Sequence, residues 1–454
     1  MTTAHRDQRP GPRPRRAVRP AAAVALTAVL ALTASACGDS GDAAGGEGDG
    51  KGTVEFWDNN GGVRTPVWKK IIAAFEKKHP DIDVTYVPVP ITEVQSKYDT
   101  AIAGGGLPDV GGVKTADLAN MVAQGALEPV GDRIEGGPLK GRLSNGMVES
   151  VRAAGGEGDE MFSVPTSANQ SVLWYRTDLF EKAGLDAPDD WETFYGAAEK
   201  LTDAEDNKFG FTIRGGAGSV AQALDMMYAQ SGVDTFWEGE KTTVNAPENV
   251  EALERYTDLY KKATPAADLN NDFTKMVAQF DSGDIGMLLH NLGSYPDHVK
   301  AFGKDRIAGI PLPPSADGAP RTIPSNPVDG LGLFRSSDNK AAAWKFIEFA
   351  VSHEMNSLWN EEAGAIPART DAVGDAWIED AAPVKAAMES VNDPETKIVQ
   401  LPYYLPDWNN ISKAGTEPDF QKLLLGEMTA KEFADKLAGL INEAQAEWKE
   451  QQEK

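Results

Sequence analysis

The sequence predicts an α/β fold divided into two lobes, and two observations carry that expectation. Along the chain the apolar residues switch between a two-residue and a 3.6-residue period. That is the mark of strands alternating with helices, and of a mostly parallel sheet covered on both faces. The chain has 454 residues, and the ~400 left after an N-terminal leader exceed the ~250–300 at which one core usually divides.

The elements follow in order. Val54, Phe56 and Trp57 mark a first strand, ended by Asn60, Gly61 and Gly62. Residues 65–80 read as a helix: Thr65 caps it, Pro66 suits its first turn, and Pro80 stops it. Trp68, Ile71, Ile72 and Phe75 line its apolar face. Ile82, Val84 and Tyr86 alternate as a strand does. A helix follows with a capping box from Thr92 to Gln95, then a strand at "PDVGGV" and a helix at "ADLANMVAQGAL". After a glycine-rich gap at 155–158, "MFSVPTSANQSVLWYR" is extended. Two helices come next, the second with Asp189 three residues before Glu192, then a strand at "FGFTIR" and a helix at "VAQALDMMYAQSG". Helices at 249–263 and 273–283 lead to a strand at "DIGMLLH", and Asp317-Gly318 signals a hairpin. Residues 339–364 read as one long amphipathic helix. Thr429 and Glu432 open the closing helix, whose buried stripe is Phe433, Leu437, Leu440 and Ile441.

The N-terminus has the three parts of an export signal. Arg6, Arg9, Arg13, Arg15, Arg16 and Arg19 form a basic region, Ala21–Leu32 an apolar one, and Thr33–Ala36 a small-residue cleavage site. The apolar run is shorter than the ~20 residues of a membrane span. Cys37 is the single cysteine, so it cannot form an internal disulfide, and exported proteins seldom keep a free thiol. Its place after Ser35 and Ala36 resembles the lipobox of bacterial lipoproteins, which implies a lipid on Cys37. Residues 1–36 are then a signal peptide, and 37–52 a lipidated cysteine with a flexible Gly/Asp linker reaching ~20 Å. The expected location is the extracytoplasmic face of the cell membrane. Arg15-Arg16 also hints at twin-arginine export.

Charge and motif narrow the function. Loss of the six arginines and Asp7 takes the formal charge from −25 to −30, which disfavours a nucleic-acid partner. Five histidines occur, with no metal-ligand spacing, P-loop or nucleophile elbow. "GAGSVA" at 216–221 matches the dinucleotide pattern, but its setting in an exported chain favours a cleft loop at a strand end. No cofactor and no metal are expected. No carboxylate pair is singled out as a glycosidase would need.

From Tyr175 the pattern becomes specific. "YRTDLFEKAGLDAPDDWETFYGAAEKLT" resembles the extracellular solute-binding proteins (family 1) of ABC importers. Further hallmarks recur in order: "GGGLPDV" at 104–110, "FDSGDIGML" at 280–288, "SSDNKAAAWKFIEFAVS" at 336–352, "GAIPAR" at 364–369 and "LLLGEMTAKEFADKL" near the end. The resemblance spans nearly the whole mature chain. It departs at Arg176, where Asn is usual, and at Asp190, where Thr is common. It implies a two-lobe periplasmic-binding-protein-like (type II) α/β fold with a hinge and an inter-lobe cleft. Crossovers are expected near 164–169, 309–322 and 360–370. Lobe 1 would then be 53–165 with 320–365, lobe 2 would be 170–310 with 370–448, and 449–454 a tail. The implied function is a lipid-anchored, monomeric receptor, not an enzyme. It captures a carbohydrate and delivers it to permease subunits served by a separate ATPase. The aromatic content inclines the reading to an oligosaccharide. Two alternatives stay open: another small solute in the same cleft, such as a polyamine, an amino acid or a metal, and an extracellular glycan-acting enzyme.

Position on strand ends supplies the ligand-binding candidates, because a sugar needs polar groups for its hydroxyls and aromatic rings for its C–H face. Asp58, Asn59 and Asn60 end the first strand; Lys114 and Thr115 follow "PDV"; Ser167 and Asn169 lie on the first crossover. Arg214 and Gly216 follow "FGFTI", and His290 and Asn291 follow "DIGMLL". Asn326 and Asp329 precede "GLGLF", Arg369 sits at the third crossover, and Tyr403, Tyr404 and Trp408 cluster in "LPYYLPDWNN".

Overall fold

The computed structural model describes residues 45–62, 64–91, 93–155 and 160–452. The predicted signal peptide and Cys37 lie outside the described residues. Thirteen strands form among them. They are β1 (Gly52–Gly61), β2 (Ile82–Pro90), β3 (Val110–Lys114), β4 (Val164–Ala168), β5 (Ser171–Tyr175), β6 (Trp237–Glu238) and β7 (Lys241–Thr242). Then come β8 (Met287–Asn291), β9 (Ala308–Ile310), β10 (Thr322–Pro324), β11 (Val328–Leu333), β12 (Ile366–Pro367) and β13 (Lys397–Val399).

Lobe 1 is built on a six-stranded sheet of order β12-β4-β11-β3-β1-β2. Only the β2–β1 and β1–β3 pairings are parallel, as the strand–helix alternation predicts. β11, β4 and β12 pair antiparallel, because two of them are chain segments returning from, or leaving for, the second lobe. The helix Thr65–Lys78 buries the predicted Trp68, Ile71, Ile72 and Phe75. Phe56 meets Trp68 edge-on at 4.7 Å, and Phe75 meets Phe346 at 5.2 Å.

Lobe 2 is built on the antiparallel sheet β8-β5-β9. Strand alternation sends successive side chains to opposite cores: Val172, Trp174 and Leu288 to one, Leu173, Met287 and Leu289 to the other. The chain passes between lobes at 169–170, just after β4. It passes again between β9 and β11, where β10 pairs with β13. The third passage comes later than 360–370, because Ile366–Pro367 still pairs with β4.

Several local expectations change for identifiable reasons. "FGFTIR" makes only a single bridge, Phe209 to Ile285, because other partners take its amides. Gly210 N–H donates to Thr202, Ile213 N–H to Asp268 and Arg214 N–H to Gln222, while Phe211 N–H donates to the Ala263 carbonyl. The long helix expected at 339–364 divides into Lys340–Ala350 and His353–Ala363, with Ser352 turning back onto the Phe349 carbonyl. The helix Val94–Gly104 starts at Glu93 without a side-chain cap, and Gln95 bonds Asp99 instead. Asp190, not Asp189, caps Trp191–Lys200, through a box with Thr193. Asp317-Gly318 is a turn without flanking paired strands, since β9 and β10 lie in different sheets. The Thr429–Glu432 box forms, and its helix runs on to Gln452, through part of the expected tail.

Residues 45–51, read from sequence as part of the flexible linker, dock on lobe 1. Gly46 and Glu47 offer their carbonyls to the amides of Lys340 and Ala341, the otherwise unpaired first turn of a helix. Lys345 binds the Gly50 carbonyl at 2.9 Å and Asn339 binds that of Lys51 at 2.6 Å.

Candidate functional site

Strand register assembles the first wall. Asp329 on β11 lies opposite Lys114 on β3 and Ser167 on β4, so three predicted residues share one level of the sheet. Lys114 and Asp329 approach to 3.7 Å, an ion pair too long for a hydrogen bond. Asp58, at the end of β1, accepts from the Tyr86 hydroxyl at 2.7 Å and the Asn60 amide at 2.8 Å, and burial raises its carboxyl. Arg64 lies within the fields of Asp58, Asp329 and, from lobe 2, Asp297. Its guanidinium donates to the carbonyls of Glu362 and Ala363, the C-terminal end of the helix 353–363. Gly364 closes that helix at φ +64°, where a Cβ would also crowd the Leu292 carbonyl.

The second wall starts where the first crossover enters lobe 2. Ser171 pairs with Asn291, and Val172 with His290. Burial, and secondarily the nearby Arg214, push His290 down to about 3, so the imidazole is neutral at physiological pH. Phe273, 41% exposed, stacks against His290 with ring centroids 6.2 Å apart, and Arg214 approaches the same ring at 5.8 Å. Asp225 accepts from the Ser171 hydroxyl at 2.6 Å, and burial pushes its carboxyl up to about 7.

Five of the residues named from sequence hold a buried polar atom with no hydrogen-bond partner in the protein. They are Ser167 Oγ, Asn169 Oδ1, His290 Nδ1, Asn326 Nδ2 and Asp329 Oδ1. Leaving such a group unmet costs about 1–3 kcal/mol. They come from β4, the first crossover, β8, the second crossover and β11, so both lobes contribute such atoms.

Other candidates make contacts within the protein. Trp408 is 2% exposed in the lobe 2 core, edge-on to Phe236 at 5.8 Å. Tyr404 donates to Gln445 at 2.7 Å and packs on Trp448. Tyr403 donates to the Ser325 carbonyl at 2.7 Å and so ties the second crossover to lobe 2. Thr115 Oγ1 accepts from Val328 N–H at 3.0 Å, and Asn291 Oδ1 from Gly293 N–H at 3.0 Å. Asn59 Oδ1 accepts from Asn60 at 2.9 Å. Arg369 spends its guanidinium on Asp371, at 2.9 and 2.6 Å. Gly216 is needed for packing, because a Cβ would lie 3.1 Å from the Asn271 carbonyl.

Sequence reasoning missed Arg64, Asp225 and Phe273, which stand beside the predicted residues. None of the three carries a local signal in the sequence. Two surface hollows lie away from the cleft. One of 730 Å³ is lined by His353, Ser357, Asp375 and Trp377, and one of 400 Å³ by Trp191, Gln230, Arg255 and Ser315. In the larger, His353, Ser357, Asp375 and Trp377 satisfy one another.

A family model for bacterial extracellular solute-binding proteins matches residues 61–357. The mannitol-binding protein of Pseudomonas aeruginosa is 26% identical over 418 residues, covering 87% of this chain and 90% of its own. The ABC substrate-binding protein Lmo0181 of Listeria monocytogenes, solved with cycloalternan, superposes with a TM-score of 0.73 at 25% identity, over 87% of this chain and 99% of its own. An ABC transporter solute-binding protein of Agrobacterium vitis S4 with bound D-mannitol gives 0.68 at 26% identity, over 88% and 99%.

Proposed function

The chain belongs to the bacterial extracellular solute-binding protein family, and from that premise we propose that it captures a carbohydrate in the inter-lobe cleft and hands it to the permease of an ABC importer. The observation that carries this reading is the set of unmet polar atoms on Ser167, Asn169, His290, Asn326 and Asp329. Asn169 and Asp329 accept, Asn326 donates, and Ser167 and neutral His290 do either. Hydroxyl groups both donate and accept, so a polyhydroxylated ligand matches this mixture of donors and acceptors. An apolar ligand would leave them unmet. The mannitol and cycloalternan ligands of similar proteins support the same class.

The ligand touches both walls and therefore favours the closed arrangement, which a permease can distinguish from the open one. The role is capture and delivery by a monomer, with energy supplied by a separate ATPase chain. Cys37 carries the anchor in this reading, with more than one acyl chain, since a single chain holds only marginally. Retention of a Cys37→Ala protein on the membrane would count against the anchor.

Calorimetry and thermal unfolding of the mature chain against a sugar panel test the main claim. A ligand at a hundred times its Kd should add about 2.7 kcal/mol of stability. No response to any sugar, together with a response to a polyamine, amino acid or metal, would refute the carbohydrate reading.

A further inference from the structure

A contact between the lobes bears on ligand size. Asp117 belongs to the helix Thr115–Ala123 that follows β3 in lobe 1. Asn409, on lobe 2, donates to it across the cleft at 3.0 Å. Lys413 holds the other side of the Asn409 amide at 2.5 Å. Asn409 immediately precedes a π-helical turn, Asn410–Ala414, a rare geometry that recurs at functional sites. Lys413 lies within the fields of Lys114 on one wall and Arg214 on the other. Burial raises the Asp117 carboxyl, with Lys114 and Lys413 opposing that rise.

Aromatic placement points the same way. Seven of the ten tryptophans are buried in the two cores. Trp237 lies in the hairpin β6–β7, Trp377 on the short helix Ala376–Asp380, and Trp448 near the end of the closing helix. Phe273 is an exposed ring stacked on His290, and Tyr86, which donates to Asp58, is a half-buried ring on the other wall. A saccharide chain gains by stacking successive rings on successive platforms, and one platform serves one ring. The aromatic content that inclined the sequence toward an oligosaccharide is thus mostly core.

Building on the carbohydrate reading above, we propose that Asp117, Asn409 and Lys413 form an inter-lobe gate that ends the cleft beside β3. The gate makes the ligand a hexitol or a monosaccharide. In the closed arrangement the gate occupies the path by which a longer chain would extend past Lys114. A short polyol instead lies between the gate and the crossovers, against Asn169, His290 and Asp329.

The test is calorimetry of the mature chain with hexitols, hexoses and the trisaccharides built from those hexoses. Asn409→Ala and Asp117→Ala are measured beside the native chain. The native chain should bind its best hexitol or hexose at least about tenfold more tightly than any trisaccharide. Each gate variant should narrow that preference several-fold by admitting the trisaccharide. Two variants guard against one misfolding, and the native chain's size preference needs neither. Equal or tighter trisaccharide binding by the native chain overturns the gate while leaving carbohydrate capture standing. A full preference retained in both folded variants also overturns it. Failure to bind any member of the panel refutes the carbohydrate reading itself.

Discussion

Replacing Asn169 by alanine should separate binding from stability in sign. Asn169 Oδ1 is buried and has no hydrogen-bond partner in the protein, a state that costs about 1–3 kcal/mol relative to a satisfied acceptor. Asn169→Ala removes that cost from the free protein along with the bond offered to a ligand hydroxyl. The side chain lies at the crossover between β4 and β5 and is half-buried. The free protein should therefore unfold at the same temperature or slightly higher, by on the order of 1–2 °C for a chain of this size. Affinity should fall by about 1–1.5 kcal/mol, roughly five- to thirteenfold. Isothermal calorimetry and scanning calorimetry on the same preparations read both quantities. Unchanged affinity would remove Asn169 from the site. A drop in affinity accompanied by a fall of many degrees in Tm would make it a framework residue and refute the argument from unmet polar atoms.

Three further outcomes are expected. Asp225 has its carboxyl raised to about 7 from about 3.9 in an unfolded chain. The folded chain therefore holds that proton more tightly, and the group's contribution declines as pH rises from about 4 to 7. Asp225→Asn should raise the urea midpoint relative to the native chain more at pH 8 than at pH 4; an equal effect at both would contradict it. Deleting residues 45–51 strips the caps from Lys340 and Ala341 and should cost on the order of 1 kcal/mol of stability, seen as a lower urea midpoint with ligand affinity intact. Trp408→Ala should cost about 3–5 kcal/mol while the folded fraction keeps its affinity, and a selective loss of binding would return Trp408 to the site.

Position, more than residue type, marks the residues that hold unmet polar atoms. Asn169, His290, Asn326 and Asp329 were identifiable because they follow or precede apolar runs that make strands, and open α/β sheets place ligands at strand ends. Tyr404 and Trp408 enter as rings clustered in one segment. Ring chemistry does not distinguish a platform from a core residue, and the two face Gln445 and Phe236. Asp225 and Asn409 were silent because each acquires its role from a partner distant in sequence, Ser171 for one and Asp117 for the other.

The sequence by itself determined the α/β class and the core faces of its helices, while chain length and family resemblance pointed to the two lobes. Element type and core face follow from short-range periodicity, which a local stretch of chain carries whole. The tertiary structure alone decided that three of the five pairings in the lobe 1 sheet are antiparallel, that "FGFTIR" gives its amides to other partners, and that residues 45–51 cap a helix three hundred residues away. It also decided which polar atoms in the cleft remain unmet. A hydrogen bond is satisfied or not according to what the whole fold brings within about 3 Å, and no local pattern records that.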